Sequence, residues 1–191
     1  MRRVIITGGI GSGKSMVSQM LQVMGYPVYD CDSQAMRLIH EDEQLRCEII
    51  SLLGPQAYDA QGCYNRQWVS EQVFANPDLL KRLNACVHPA VVRDIERWAE
   101  RQNSDPIFIE TALLRQSGLI VMTDDIWRVT SPEPLRIARV QRRSALTEQQ
   151  VRQRMIAQQL REESYPDEHV LVNDERKPLL PQILHLITNE E

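Results

Sequence analysis

No Cys-x-x-Cys pair occurs in this chain of 191 residues: Cys31, Cys47, Cys63 and Cys86 lie far apart, so the spacings of a zinc or dithiol redox site are missing. The four thiols read as reduced, in a cytoplasmic protein. No uninterrupted apolar stretch approaches the ~18 residues of a membrane span, and no membrane partner is expected. Met1-Arg2-Arg3 is followed by only three apolar residues before a glycine-rich run, so a secretory leader is not expected either. An excess of basic residues is lacking too. The formal charge of -4 argues against a nucleic-acid-binding surface, because phosphate backbones are held by a net basic face. Repeats and low-complexity tracts are absent, and the length suits one domain with a sizeable core or one core carrying a small insertion.

What is present begins at once. Gly8-Gly9-Ile10-Gly11-Ser12-Gly13-Lys14-Ser15 spell the phosphate-binding pattern G-x-x-x-x-G-K-[ST]. The run Val4-Ile5-Ile6 leads in as a short buried strand, and Met16 to Met24 leads out with helical spacing. In that context glycines let successive N–H groups turn inward on an anion, and the helix opening near Gly13 adds its positive end. Lys14 is expected to reach the β- and γ-phosphates, and the Ser15 hydroxyl to ligate the magnesium ion that bridges them. A nucleoside triphosphate is the expected ligand.

Five short runs can serve as strands of a parallel sheet: Val4 to Thr7, Val28 to Asp30, Ile107 to Glu110, Ile126 to Thr130 and Val170 to Val172. With helical stretches between them they predict a doubly wound α/β fold with ligands at the carboxyl ends of the strands. Some 75 residues separate the second and third runs, too many for one crossover helix. Asn76-Pro77-Asp78 is a helix start within them, with Asn76 as cap and Pro77 in the first turn. The division expected is a core at about 1–33, 106–132 and 164–191, a helical insert for the acceptor at about 34–105, and a lid at about 133–163. That last segment carries Arg136, Arg139, Arg142, Arg143, Arg152, Arg154 and Arg161.

Asp30 and Asp32 follow the second strand and point to one face of an extended chain. One carboxylate can accept a proton from an attacking hydroxyl while the other holds a magnesium-bound water. Asp32 can equally cap a helix starting near Ser33. Glu110 reads either as a Walker-B-like acid or as an ordinary strand-end carboxylate. Arg136, Arg139 and Arg143, spaced three and four apart, share one helix face, with Arg142 at its margin; they are a solvated face or the cations of a phosphoryl-transfer site. His88-Pro89 reads as a boundary between two helical stretches.

Together these residues resemble the dephospho-coenzyme A kinase family, P-loop kinases of the nucleoside-monophosphate-kinase type. Thr7 to Ser15 is similar to that family's phosphate loop almost letter for letter, and Asp30-Cys31-Asp32 to its D-A-D. Phe74-Ala75-Asn76-Pro77, Leu83-Asn84 and His88-Pro89 resemble its F-x-x-P, L-N and H-P block. Arg139-Val140 and Arg143 resemble its lid arginines, and Arg154 with Ala157-Gln158 its R-x-x-A-Q segment.

The resemblance implies ATP and Mg2+ as cofactors and dephospho-CoA as the small-molecule substrate, phosphorylated on its ribose 3′-hydroxyl. It implies catalytic roles for Asp32, Lys14 and Arg143, with Asp32 favoured over Asp30 as base. Gly8, Gly9, Gly11, Ser12, Gly13, Lys14, Ser15, Met16 and Arg139 are implied as nucleotide contacts, and Asp32, Arg66 and His88 as acceptor contacts. The metal ligand implied is Ser15. Departures from the pattern are Met16 for the usual threonine, Glu110 to Gln116 in place of D-x-P-L-L-F-E, Ser144 for an acid, and Asn173-Asp174 as an inverted D-N. Rival readings are shikimate kinase or a nucleoside monophosphate kinase, and a nucleotide-binding switch without kinase activity. The chain shows neither the G-G-G stretch of shikimate kinases nor the N-K-x-D of GTPases.

Overall fold

A computed structural model of the chain describes residues 1–74, 76–159, 165 and 167–188. Ala75 of the F-A-N-P block and residues 160–164, with Arg161 and the end of the expected lid, lie outside the described residues. The chain forms two compact units, a sheet-bearing one of residues 1–29, 102–114 and 120–191 and a helical one of residues 30–101 and 115–119.

The strands are β1 (Arg3–Thr7), β2 (Val28–Asp30), β3 (Ile107–Glu110), β4 (Asp125–Thr130) and β5 (His169–Val172), in the order β2-β3-β1-β4-β5. β1 pairs in parallel with β3 and β4, and β4 with β5. Three of the five, β1, β4 and β5, begin one residue before their apolar runs. A central parallel strand is covered on both faces, which is why Val4, Ile5 and Ile6 are all buried and apolar rather than alternating.

On one face α1 (Lys14–Val23) and α9 (Leu179–Thr188) pack with the sheet around Trp127, Phe108, Leu21 and Ile183. The Phe108 and Trp127 rings lie 5.1 Å apart, and Tyr26 meets Phe108 edge-on at 5.6 Å. Between β4 and β5 the expected lid is two helices, α7 (Glu133–Arg143) and α8 (Glu148–Gln159). They have their own small core of Ile137, Val140, Val151 and Met155.

The helical unit comprises α2 (Cys31–Glu41), α3 (Glu43–Leu53), α4 (Arg66–Phe74) and α5 (Pro77–Ala99), with the turn α6 (Leu114–Ser117) reached at its end. Asp42 caps α3 through the Leu45 N–H, and Asn76 caps α5 through the Leu79 N–H with Pro77 in its first turn. α5 buries Leu83, Val87, Ala90, Val91, Ile95 and Ala99, a helical stripe that continues straight through His88-Pro89. The boundary expected there does not exist. Proline inside a helix forfeits one backbone bond, and here the apolar stripe on both sides of an exposed Pro89 holds the helix together.

Candidate active site

The phosphate loop leaves β1 at Thr7 and enters α1 at Lys14. Gly13, at the helix N-cap, has φ 101°, and a β-carbon there would stand 2.0 Å from Asn173 Nδ2. Gly11, at φ 76°, would drive one to 2.6 Å from the Arg136 carbonyl. Both positions require glycine twice over, for the backbone conformation and for the close approach. At its N-cap, Gly13, α1 has no side chain to cap it. Its first-turn N–H groups and its positive end are therefore those of an anion site, and the loop fits a phosphate.

Lys14, in this state, turns back on the loop: its Nζ donates to the Gly8 carbonyl at 2.7 Å and to that of Gly9 at 3.4 Å. Ser12 is 2% exposed, and among the described residues its hydroxyl has no hydrogen-bond partner. Ser15, in the first turn of α1, is exposed, as is Met16 beside it. A hard hydroxyl oxygen at the edge of a phosphate cradle fits Mg2+, which is held by few protein ligands and by the substrate's own phosphates.

Behind the loop stands a set of side chains that bond its backbone. Arg139 donates to the Gly11 and Ser12 carbonyls at 3.4 Å each and to Ser131 Oγ at 3.1 Å. Its other nitrogens reach Asn173 at 3.2 Å and Glu175 at 3.0 Å. Asn173 Nδ2 also donates to the Ser12 carbonyl at 2.9 Å. Arg136 Nε donates to the Ile10 carbonyl at 2.9 Å, and the Ile10 N–H donates to Gln158 Oε1 at 2.7 Å. Arg142 and Arg143, at the end of α7, are exposed. Arg152 pairs with Glu133 and Glu148 on the hairpin surface.

Asp30 and Asp32 are sorted by helix geometry. Asp30 is the N-cap of α2: its Oδ1 accepts from the N–H groups of Asp32 at 3.0 Å and Ser33 at 3.3 Å, and its Oδ2 from the Ser33 hydroxyl at 2.5 Å. The capping role that the sequence offered to Asp32 thus belongs to Asp30, because the helix starts two residues earlier, at Cys31. Asp32 lies in the first turn with an exposed side chain. Glu110 is the last residue of β3.

The loop residues Gly8 to Met16, Arg139 and Arg143 are therefore gathered in the sheet-bearing unit. Asp32 on α2, Arg66 at the start of α4 and half-buried His88 within α5 belong to the helical unit. Ser131, Arg136 and Glu175 were not singled out for the loop by the motif, and Asn173 and Gln158 stood out only by resemblance. Side chains that bond a loop's carbonyls from 127 or 161 residues away leave no local pattern.

The sequence profile of dephospho-CoA kinases matches residues 2–178. The dephospho-CoA kinase of Porphyromonas gingivalis is 37% identical over 185 residues, covering 95% of this chain and 91% of that protein. That of Salinibacter ruber is 38% identical over 176 residues, 88% of this chain and 87% of the relative. A crystal structure of a Thermus thermophilus protein superposes with a TM-score of 0.78 at 31% identity, over 99% of this chain and 95% of that one. The dephospho-CoA kinase of Campylobacter jejuni shares the fold, with a TM-score of 0.69 at 20% identity over 100% of this chain and 98% of its own.

Proposed function

The chain belongs to the dephospho-CoA kinase family, and from that premise we propose that its phosphate loop holds the donor nucleotide while Asp32 takes the proton of the hydroxyl that is phosphorylated. The reaction is the ATP-dependent phosphorylation of dephospho-CoA on its ribose 3′-hydroxyl, giving coenzyme A and ADP. The hydroxyl oxygen forms a bond to the γ-phosphorus, the bond to the β-phosphate oxygen breaks, and ADP leaves. Little covalent chemistry falls to the protein; positioning and charge do most of the work.

Each residue's part follows from its surroundings. The loop amides and the open N-terminus of α1 receive phosphate oxygens, with Gly8, Gly9, Gly11, Ser12 and Gly13 shaping the cradle. Met16 offers only its backbone N–H. Lys14 exchanges the Gly8 carbonyl for phosphate oxygens, a swing that a flexible lysine makes at low cost. Magnesium would be held by the Ser15 hydroxyl and the nucleotide's phosphates, and when bound it neutralises charge on the β- and γ-phosphates. Arg139 holds the loop carbonyls from behind, so that the N–H groups face the nucleotide. Arg143 supplies a mobile cation to the transferring group.

The observation that carries the base assignment is the N-cap of α2: Asp30 has both oxygens engaged locally, whereas the Asp32 side chain is exposed. Arg66 and His88 are assigned to the acceptor. A coupled assay of ADP release with dephospho-CoA, shikimate, gluconate and nucleoside monophosphates tests the reading. Turnover is expected with dephospho-CoA; faster turnover of any other member of the panel would overturn the acceptor assignment while leaving the kinase class standing.

A further inference from the structure

Ile10 occupies the third position of the phosphate loop, a place the motif leaves free, yet both of its backbone polar groups and its side chain are engaged. Its N–H donates to Gln158 Oε1 of α8 at 2.7 Å, and its carbonyl accepts from Arg136 Nε of α7 at 2.9 Å. Its side chain packs on the Ile137, Val140, Val151 and Met155 core that joins those two helices. One residue is thus fixed on both sides of its α-carbon, through its donor and its acceptor, and by its side chain, all by the helical hairpin.

Arg136 is placed for this and not for phosphate. Its Nη2 is sealed from solvent, and among the described residues it has no hydrogen-bond partner, so in this conformation that part of the cation faces no space a ligand could fill. The group in use is the Nε–H. An unpartnered buried donor is a cost that charge stabilisation would have to outweigh, whereas a neutral N–H at the same place would incur none.

We propose that Arg136 and Gln158 are positioning residues for the phosphate loop, bracing Ile10 through its N–H and its carbonyl so that the following N–H groups are set to receive the nucleotide, and that Arg136 acts here as a hydrogen-bond donor and not as a charge. The proposal rests on the nucleotide-binding reading of the loop. It also divides the hairpin mechanically. Its base is pinned to the loop at Ile10, which leaves movement during the reaction to the far end, around Arg142 and Arg143.

Glutamine tests the claim about charge, because its Nε2 is attached to Cδ as the arginine Nε is. ADP binding by calorimetry on the full chain, with melting curves to confirm folding, requires no acceptor and is independent of the kinase assay. Arg136→Met and Gln158→Leu should each weaken ADP about five- to tenfold, the loss of one aligned hydrogen bond. Arg136→Gln should bind within about twofold of the unaltered chain. The double variant Arg136→Met with Gln158→Leu should bind far better than the product of the two losses, since both hold one residue.

Arg136→Gln binding as weakly as Arg136→Met would show that the charge matters and overturn the brace. Unaltered affinity in both Arg136→Met and Gln158→Leu would overturn it as well. A full-length wild-type chain that failed to bind ADP would overturn the brace together with the loop reading beneath it, whereas a normal ADP affinity with no turnover of dephospho-CoA would leave the brace intact and reject only the acceptor.

Discussion

Arg136 and Arg139, one turn apart on α7, donate to carbonyls of the phosphate loop, whereas Arg142 and Arg143, at its end, are exposed and have no hydrogen-bond or ion-pair partner among the described residues. The residue type is the same; the jobs differ. The first pair is occupied by the resting fold and gives the loop its shape. The second pair is uncommitted, and only an uncommitted cation can follow charge as it moves during a reaction. Asp30 and Asp32 differ too, one engaged in a helix cap and the other exposed in the first turn of α2. Lys14 stands between the two cases, since it bonds loop carbonyls at rest through a side chain long enough to leave them.

The largest effect that sharpens this division is expected at Lys14. Lys14→Ala should lose about 10²–10³ in kcat, the scale of one preorganised charge stabiliser, with a melting temperature close to that of the intact chain. Turnover near normal would place Lys14 among the structural cations instead. Next comes Arg143→Ala, with kcat down about tenfold or more and no change in apo stability, because the side chain is solvated until the nucleotide is in place. An unchanged kcat would return the end of α7 to a plain solvated face.

Arg139→Ala is expected to do the opposite of Arg143→Ala, lowering the melting temperature. It removes bonds to the Gly11 and Ser12 carbonyls and takes the Arg139 donor from Asn173 Oδ1, a loss of roughly 1–3 kcal/mol. A melting temperature equal to the wild type, with kcat reduced as in Arg143→Ala, would erase the distinction between the two pairs.

The smallest effect concerns an arginine held by a carboxylate. Arg128 Nε meets Glu168 Oε1 at 2.7 Å with both side chains nearly buried. Burial pushes the Glu168 carboxyl up, but the Arg128 hydrogen bond, the Tyr165 N–H and the Arg128 charge together hold it below the usual carboxylate range. A carboxyl lowered in the native state adds stability that is complete above its unfolded pKa and is lost as pH falls through the native one. Melting temperature should therefore drop on acidification below about pH 4–5, and Glu168→Gln should flatten that part of the profile. An identical acid slope in the variant would assign the loss to other groups.

How much of this the sequence disclosed depends on where the constraint lies. The phosphate loop was legible because glycine, lysine and serine must stand at fixed offsets on one turn. The sheet was legible because a strand covered on both faces is a continuous apolar run, as Val4-Ile5-Ile6 is. Partners distant in sequence were not. Asn173, Gln158 and Arg136 earn their roles from bonds to backbone carbonyls and N–H groups, which any sequence possesses. The capping of α2 was misplaced by two residues because D-x-D followed by serine offers two acceptable caps, and β2 running straight into α2 selects the first. Pro89 misled in the same way: its local preference for a helix start yielded to the buried stripe on either side of it.

The division of roles is tested most directly at the two carboxylates, the capping Asp30 and the exposed Asp32. Steady-state kcat for Asp32→Asn and Asp30→Asn, with dephospho-CoA as acceptor across a magnesium titration and melting curves alongside, separates proton acceptance from capping. The expected result is a fall of about 10²–10⁴ in kcat for Asp32→Asn with its melting temperature kept. For Asp30→Asn, kcat should stay within about tenfold, because asparagine still caps the helix. Near-normal turnover in Asp32→Asn, with a collapse in Asp30→Asn that magnesium cannot restore, would contradict the account and move the base to the residue that caps α2.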